Sequence, residues 1–121
     1  MSKKPNRRFH LILDIIDIDL QKLNRKEFIV NLITDLARLI KMNILFGPKV
    51  IKGTKENPGL TAFCIIDFSH ISVHTFTRTN ELYLDIFSCK PFNKNKVIRY
   101  IKKVLNVKNN QIFISQPKYL N

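Results

Sequence analysis

Cysteine is scarce in this chain of 121 residues: there are two, Cys64 and Cys89. Two thiols so differently placed make neither a disulfide framework nor a zinc site, and a reduced, cytosolic setting is expected. Acids are scarce as well. Nine Asp and Glu stand against 21 Lys and Arg, a formal charge of +12, which brings acidic partners such as nucleic acid or an anionic surface into consideration. Lys, Asn and Ile are all abundant, however, as a compositional bias across a whole proteome would make them. A long uncharged apolar run is also missing. The basic start, with Lys3, Lys4, Arg7 and Arg8, leads into a segment broken by Asp14, Asp17 and Asp19, which excludes a signal h-region or a membrane span there. No RNP-like, KH-like or zinc pattern is present to give the positive charge a nucleic-acid motif.

What the chain does have is 45% hydrophobic residues, enough for one compact core and too few residues for two. The expected organisation is a basic arm, residues 1–8, and a single domain, residues 9–121. Phe9 to Ile18 reads as a strand with Phe9, Leu11, Leu13 and Ile15 on one face and His10, Ile12, Asp14 and Ile16 on the other. His10 has no metal-spaced partner and reads as a structural or edge residue. Asn24, with Glu27 three places on, reads as a capping box. It opens a helix whose apolar positions run Phe28, Ile29, Leu32, Ile33, Leu36, Leu39 and Ile40. A second strand is expected at about 43–50, bent at Gly47-Pro48, and a polar loop over 52–59 leads to a third at 60–66. Thr77 to Asn80 makes a turn into a strand over 81–88. A helix over 94–105 with a lysine-rich outer face follows, and a strand over 111–115 closes the chain. This order implies an α+β, two-layer fold: an antiparallel or mixed sheet with both helices on one face. Its strands are apolar on both faces, so the second face calls for a partner. The simplest is another copy, giving an α/β/β/α homodimer.

The stretch Asp67-Phe68-Ser69-His70-Ile71-Ser72-Val73-His74-Thr75 holds two serines and two imidazoles within seven residues, a poor sequence for a plain core strand. If the turn that follows centres between Arg78 and Thr79, antiparallel pairing sets His74 opposite Tyr83 and Ser69 opposite Ser88, with Cys89 beside the Phe68–Ser69 bond. By residue type, Ser69, His74 and Cys89 could then serve as nucleophile, base and acid. Five positions separate Ser69 from His74, so one straight strand would point them to opposite faces, and a bend, bulge or chain break is needed for them to share a site.

The run Ser-His-Ile-Ser-Val-His-Thr at 69–75 is followed by Leu-Asp-Ile-Phe-Ser-Cys at 84–89, with a His five places and a Cys twenty places after the first serine. It resembles the small prokaryotic type of S-adenosylmethionine decarboxylase, and the likeness extends from the first strand to the last. The resemblance implies a proenzyme that cuts itself between residues 68 and 69 and turns Ser69 into a pyruvoyl group, with no metal. On it, His74 is the proton-transfer group of self-processing and Cys89 the proton donor in decarboxylation. Thr61 stands where the family usually has a processing serine. A ketone that forms a Schiff base with the substrate amine supplies the electron sink that side chains lack. The implied product is the aminopropyl donor for spermidine and other polyamines.

The chain departs from the family pattern in two places. Phe68 stands where a Glu usually precedes the processed serine, and Phe76-Thr77-Arg78 replaces the usual Trp-Pro-acid, which makes Phe76 and Arg78 the candidate substrate contacts. Three alternatives to S-adenosylmethionine decarboxylation therefore stand beside it. One is the same scaffold acting on arginine or ornithine, another is an unprocessed, inactive relative, and the third is a basic nucleic-acid-binding α/β module using the arm and the last helix.

Overall fold

The computed structural model describes residues 6–120, so Lys3 and Lys4 of the basic arm lie outside the described residues. The elements run Phe9–Ile15 (β1), Leu20–Leu23 (α1), Lys26–Leu39 (α2), Ile44–Lys52 (β2), Leu60–Ile66 (β3), Ser69–Phe76 (β4), Glu81–Ser88 (β5), Lys94–Leu105 (α3), a 3-10 turn at Asn109–Gln111, and Ile112–Ser115 (β6). The strands form one sheet in the order β2-β3-β4-β5-β1-β6. Every neighbouring pair is antiparallel, so the fold is the expected α+β arrangement.

Strict alternation in the strands decides which face is buried. Leu11, Leu13 and Ile15 of β1, Ala62, Cys64 and Ile66 of β3, Ile71 and Val73 of β4, and Leu82, Leu84 and Ile86 of β5 all lie under the helices, almost wholly removed from water. From above they meet Ile29, Leu32, Ile33, Leu36 and Ala37 of α2 and Val97, Ile101 and Leu105 of α3. Each such Leu or Ile contributes roughly 1.5–3 kcal/mol by leaving water, so this one layer carries most of the stability. Cys64 is part of it, and burial pushes its thiol pKa up, as suits an inert core residue.

The helix start is corrected. Asp19, not Asn24, provides a side-chain cap: its carboxylate accepts from the Gln21 N–H at 3.0 Å and opens the short α1, which Asn24 closes. Helix α2 then begins at Lys26 with Arg25 at the cap position and no side-chain cap bond, so its stability rests on its buried face. The first strand is also shorter than expected. β1 ends at Ile15 because Asp17 adopts a left-handed φ of 55°, and the Ile16 N–H turns to the Gln111 carbonyl. The bend anticipated at Gly47-Pro48 is present, as a register shift between Phe46 and Lys49 in the β2–β3 ladder.

Among the described residues no helix lies on the opposite face of the sheet. Phe63 and Ile65 are each about two-fifths exposed there, beside half-buried His10, Ser72, His74, Tyr83, Asp85 and Phe87. The candidate chemistry lies on and at the end of this face.

Candidate active site

A tight turn, Asp67-Phe68, joins β3 to β4, and Asn43 clamps it. The Asp67 N–H donates to the Asn43 carbonyl at 3.0 Å, and the Asp67 carboxylate accepts from the Asn43 N–H at 3.2 Å and from its Nδ2 at 3.0 Å. Ser69 opens β4 with φ 157°, a backbone value that side-chain-bearing residues rarely adopt. The register places Ser69 opposite Ser88 and His74 opposite Tyr83, as the turn count required.

The carbonyl of Phe68 is held from the far strand end. It accepts a hydrogen bond from the Cys89 N–H at 3.0 Å, so Cys89 does lie beside the Phe68–Ser69 bond. Ser88 secures that end of β5. Its buried hydroxyl donates to the Lys90 carbonyl at 2.8 Å and accepts from the Lys90 N–H at 2.9 Å. The Lys90 ammonium in turn sits 5.1 Å from the centroid of the Phe68 ring. Cys89 itself is exposed and takes part in no disulfide. A carbonyl that already receives a fixed N–H is one whose oxygen can take up negative charge during attack at low cost.

A second group forms at the other end of β4. Thr61 Oγ1 lies 3.1 Å from His74 Nδ1, across the β3–β4 ladder, and the His74 ring tilts against Tyr83. Gly59 makes this possible. At φ 135° a Cβ there would sit 2.0 Å from the Thr75 carbonyl oxygen, so only glycine lets the chain pass this close. The Leu60 N–H then reaches the buried Thr75 hydroxyl at 2.8 Å, which sets the start of β3 and with it Thr61. Burial, then the charge and hydrogen bond of Asp85, then the charge of Asp14 push the Tyr83 phenol up from its ordinary value, keeping it a neutral neighbour of His74.

The structure therefore pairs Ser69 and Phe68 with Cys89, and Thr61 with His74, but it does not bring the two pairs together. β4 runs unbroken from Ser69 to Phe76 in continuous register with both neighbours. Five residues at the strand rise of about 3.3 Å put roughly 16 Å between Ser69 and His74, far outside hydrogen-bond reach. Alternation also sets Ser69 with the covered positions and His74 with the uncovered ones. Phe76 lies at the His74 end, half out in solvent, paired with Glu81. Arg78 is turned away from the sheet. Its guanidinium donates to the carbonyls of Glu56 at 2.8 Å and Lys55 at 2.6 Å, tying the 53–59 loop to the β4–β5 turn.

Sequence reasoning did not single out Asn43, Ser88 or Lys90. Each acts over a distance or through the backbone, and only the Ser-X-Lys turn after β5 left a local trace. No cluster of three metal-ligating side chains occurs among the described residues.

A family profile described as S-adenosylmethionine decarboxylase matches residues 9–116. The S-adenosylmethionine decarboxylase proenzyme of Clostridium botulinum strain Langeland is 29% identical over 111 residues, covering 86% of this chain and 88% of the relative. Its counterpart in strain Loch Maree is 27% identical over the same coverage. The crystal structure of the adenosylmethionine decarboxylase from Aquifex aeolicus VF5 shares the fold with a TM-score of 0.77 at 22% identity, covering 94% of this chain and 91% of that one.

Proposed function

The chain belongs to the S-adenosylmethionine decarboxylase family, a family of pyruvoyl-dependent carboxy-lyases, and from that premise we propose that it cleaves itself at Phe68–Ser69 and decarboxylates S-adenosylmethionine, supplying the aminopropyl donor for polyamine synthesis. The observation that carries this reading is the clamped turn. Ser69 begins a strand directly after a carbonyl that the Cys89 N–H already holds at 3.0 Å.

In the processing step Ser69 Oγ adds to the Phe68 carbonyl carbon, and the peptide C–N bond breaks as the amide becomes an ester. Loss of the Ser69 Cα proton then expels the Phe68 carboxylate. The enamine left on residue 69 becomes an imine, and water releases ammonia from it to leave a ketone at the new N-terminus. The Cys89 N–H stabilises the charge that gathers on the Phe68 oxygen during the first addition. A protein base must take the hydroxyl and Cα protons, and the His74–Thr61 pair is suited to it, since imidazole transfers protons in either direction near neutrality.

The separation of about 16 Å along β4 means that this base comes from elsewhere than the same chain's His74. A second copy supplies it. Two uncovered faces stacked about a two-fold axis near Ser72 would set the β4 end that carries the Phe68–Ser69 bond in one copy against the His74 end of the other, and Ser69, the strand's first residue with φ 157°, must depart from the alternation to face the partner. Sheets packed this way lie about 10 Å apart, which removes Phe63, Ile65 and Phe87 from water in both copies. The site then needs a homodimer, with Ser69 and Cys89 from one protomer and Thr61, His74 and Phe76 from its partner.

The pyruvoyl group, once formed, supplies the electron sink for loss of carbon dioxide. Cys89, exposed beside residue 69, would return a proton to the substrate carbon. Arg78 spends its charge on the Lys55 and Glu56 carbonyls, so it presents less of a cation to a positively charged substrate than its place in the sequence suggests. The curated relatives described above are named for S-adenosylmethionine, and neither arginine, ornithine nor nucleic acid figures among them.

Intact-mass measurement of the purified chain tests the proposal. Two fragments meeting at Phe68/Ser69, the second with a blocked N-terminus, are expected, followed by carbon dioxide release from S-adenosylmethionine in preference to arginine or ornithine. Ser69→Ala should give one uncut chain. A native chain that stays whole on long incubation would remove the self-processing reading.

A further inference from the structure

The uncovered face holds one more arrangement, outside the processing residues. Beyond β6 the chain turns back so that Tyr119 lies over β1 and β5. The Tyr119 ring stacks on His10, with centroids 6.0 Å apart and planes 20° apart, and meets Phe87 edge-on at 5.9 Å. Its hydroxyl lies 2.8 Å from His10 Nδ1, and His10 Nε2 lies 2.7 Å from Asp85 Oδ1. The second Asp85 oxygen accepts from the Tyr83 hydroxyl at 3.4 Å. With Asp85 taking the Nε2 proton, Nδ1 is left to accept from the Tyr119 hydroxyl, so the three side chains form one directed chain of hydrogen bonds. The root of the segment is tied as well, by Lys94 Nζ to Gln116 Oε1 at 3.0 Å.

Phe87 is where these contacts converge. His10 meets it edge-on at 5.2 Å, Tyr119 at 5.9 Å, and His70 stacks on it from the other side at 5.8 Å. In the sheet Phe87 pairs with His70, the residue after Ser69, and it lies two residues before Cys89. Two of its three ring partners thus depend on β1 and the C-terminal segment, one rung before the Ser69–Ser88 pair that adjoins the gripped Phe68 carbonyl.

We propose that Tyr119 is a positioning residue for self-cleavage. The C-terminal segment is a strap that, through His10 and Phe87, pins the end of β5 and so keeps the Cys89 N–H on the Phe68 carbonyl. The catalytic half of this statement rests on cleavage at Phe68–Ser69, whereas the structural half does not.

Hydrogen exchange in a Ser69→Ala background, where no cutting can occur, isolates the structural half. Adding Tyr119→Ala should speed exchange of the Cys89 amide by about tenfold, the loss of one to two ring contacts. Amides of Ile71 and Leu84 should stay unchanged. Adding Tyr119→Phe instead keeps the rings and should restore most of the protection. In the chain with Ser69 present, Tyr119→Ala should slow cleavage by a similar factor, with Tyr119→Phe close to native. Unchanged exchange at Cys89, or equal acceleration at all amides, would overturn the strap, even if cleavage were slowed. If the native chain never cleaves, the processing reading falls and the exchange comparison still decides the strap.

Discussion

The two faces of the sheet are built from different chemistry. Under the helices stand Leu11, Leu13, Ile15, Ile71, Val73, Leu82, Leu84 and Ile86, aliphatic and sealed from water, with Cys64 beside them and the buried hydroxyls of Thr75 and Ser88 at the strand ends. On the other side aromatic residues alternate with groups that hydrogen-bond one another: His10 with Asp85, Tyr83 with Asp85, His74 with Thr61. The first face gains its stability simply by leaving water, and any well-fitting set of aliphatic side chains would serve. A sheet face kept for stability alone would not carry this many polar groups, because each must find a partner or cost free energy when covered. The uncovered face therefore carries the groups on which the proposed function draws, with the Phe68–Ser69 turn at its end, and the covered face supplies the stability.

The sharpest way to separate the two is to delete volume from each. Leu84→Ala, in the middle of β5 on the covered side, should cost about 2–5 kcal/mol in urea unfolding, as a sealed leucine site does. Ile65→Ala on the uncovered side should cost a separated monomer less than about 1 kcal/mol, because that side chain is two-fifths exposed before any partner arrives. Sedimentation should show its effect instead, as weaker association of two copies. Ser72→Cys, near the proposed axis, should cross-link the copies on mild oxidation. Equal losses of stability from Leu84→Ala and Ile65→Ala would erase the distinction.

The covered face could be read in the sequence because period-two alternation in the strands and helical spacing in α2 are local patterns. Hairpin register was equally legible: four turn residues, Thr77 to Asn80, leave a single pairing that sets His74 against Tyr83. The helix start was misread because Asn24 and Glu27 make a good local capping signal, yet Asp19 had already captured the preceding turn. His10 read as a structural residue without a metal-spaced partner, but its hydrogen-bond partners were hidden because Asp85 and Tyr119 lie 75 and 109 residues away and reach it only through the β1–β5 pairing and the returning C-terminal segment. The distance between Ser69 and His74 was visible as a parity conflict. The resolution proposed above, two copies sharing one site, was not, since one chain's pattern shows that a face wants covering but not what contributes to the site.

Arg78 gives a smaller effect and tests whether the His74 end of the uncovered face depends on the loop behind it. Arg78→Ala removes two charged hydrogen bonds from the 53–59 loop, which should cost about 1 kcal/mol at this exposed position and make the loop the first site cut by a protease. If cleavage at Phe68–Ser69 keeps its rate while substrate turnover falls, the loop shapes the substrate side of the site. If turnover is also unchanged, Arg78 is a fastening of the scaffold and nothing more.

A comparably small effect, one that fades with pH, belongs to the covered layer, where Tyr100 of α3 donates its hydroxyl to Asp35 Oδ2 of α2 at 2.9 Å. Burial first, then the hydrogen bond and charge of Asp35, push the phenol pKa well above its ordinary value. The unfolded chain therefore gives up this proton near pH 10 while the folded chain keeps it. Its contribution is fully present below pH 10 and is lost as pH rises toward the folded pKa. Tyr100→Phe, which cannot ionise or donate, should cost about 1 kcal/mol at pH 7. That difference should shrink as the pH is taken above 10. Denaturation of both proteins across that range reads it directly. A gap that widened with pH would mean that Asp35 holds α2 and α3 together through some other group, and the helical cover of the sheet would need a different account.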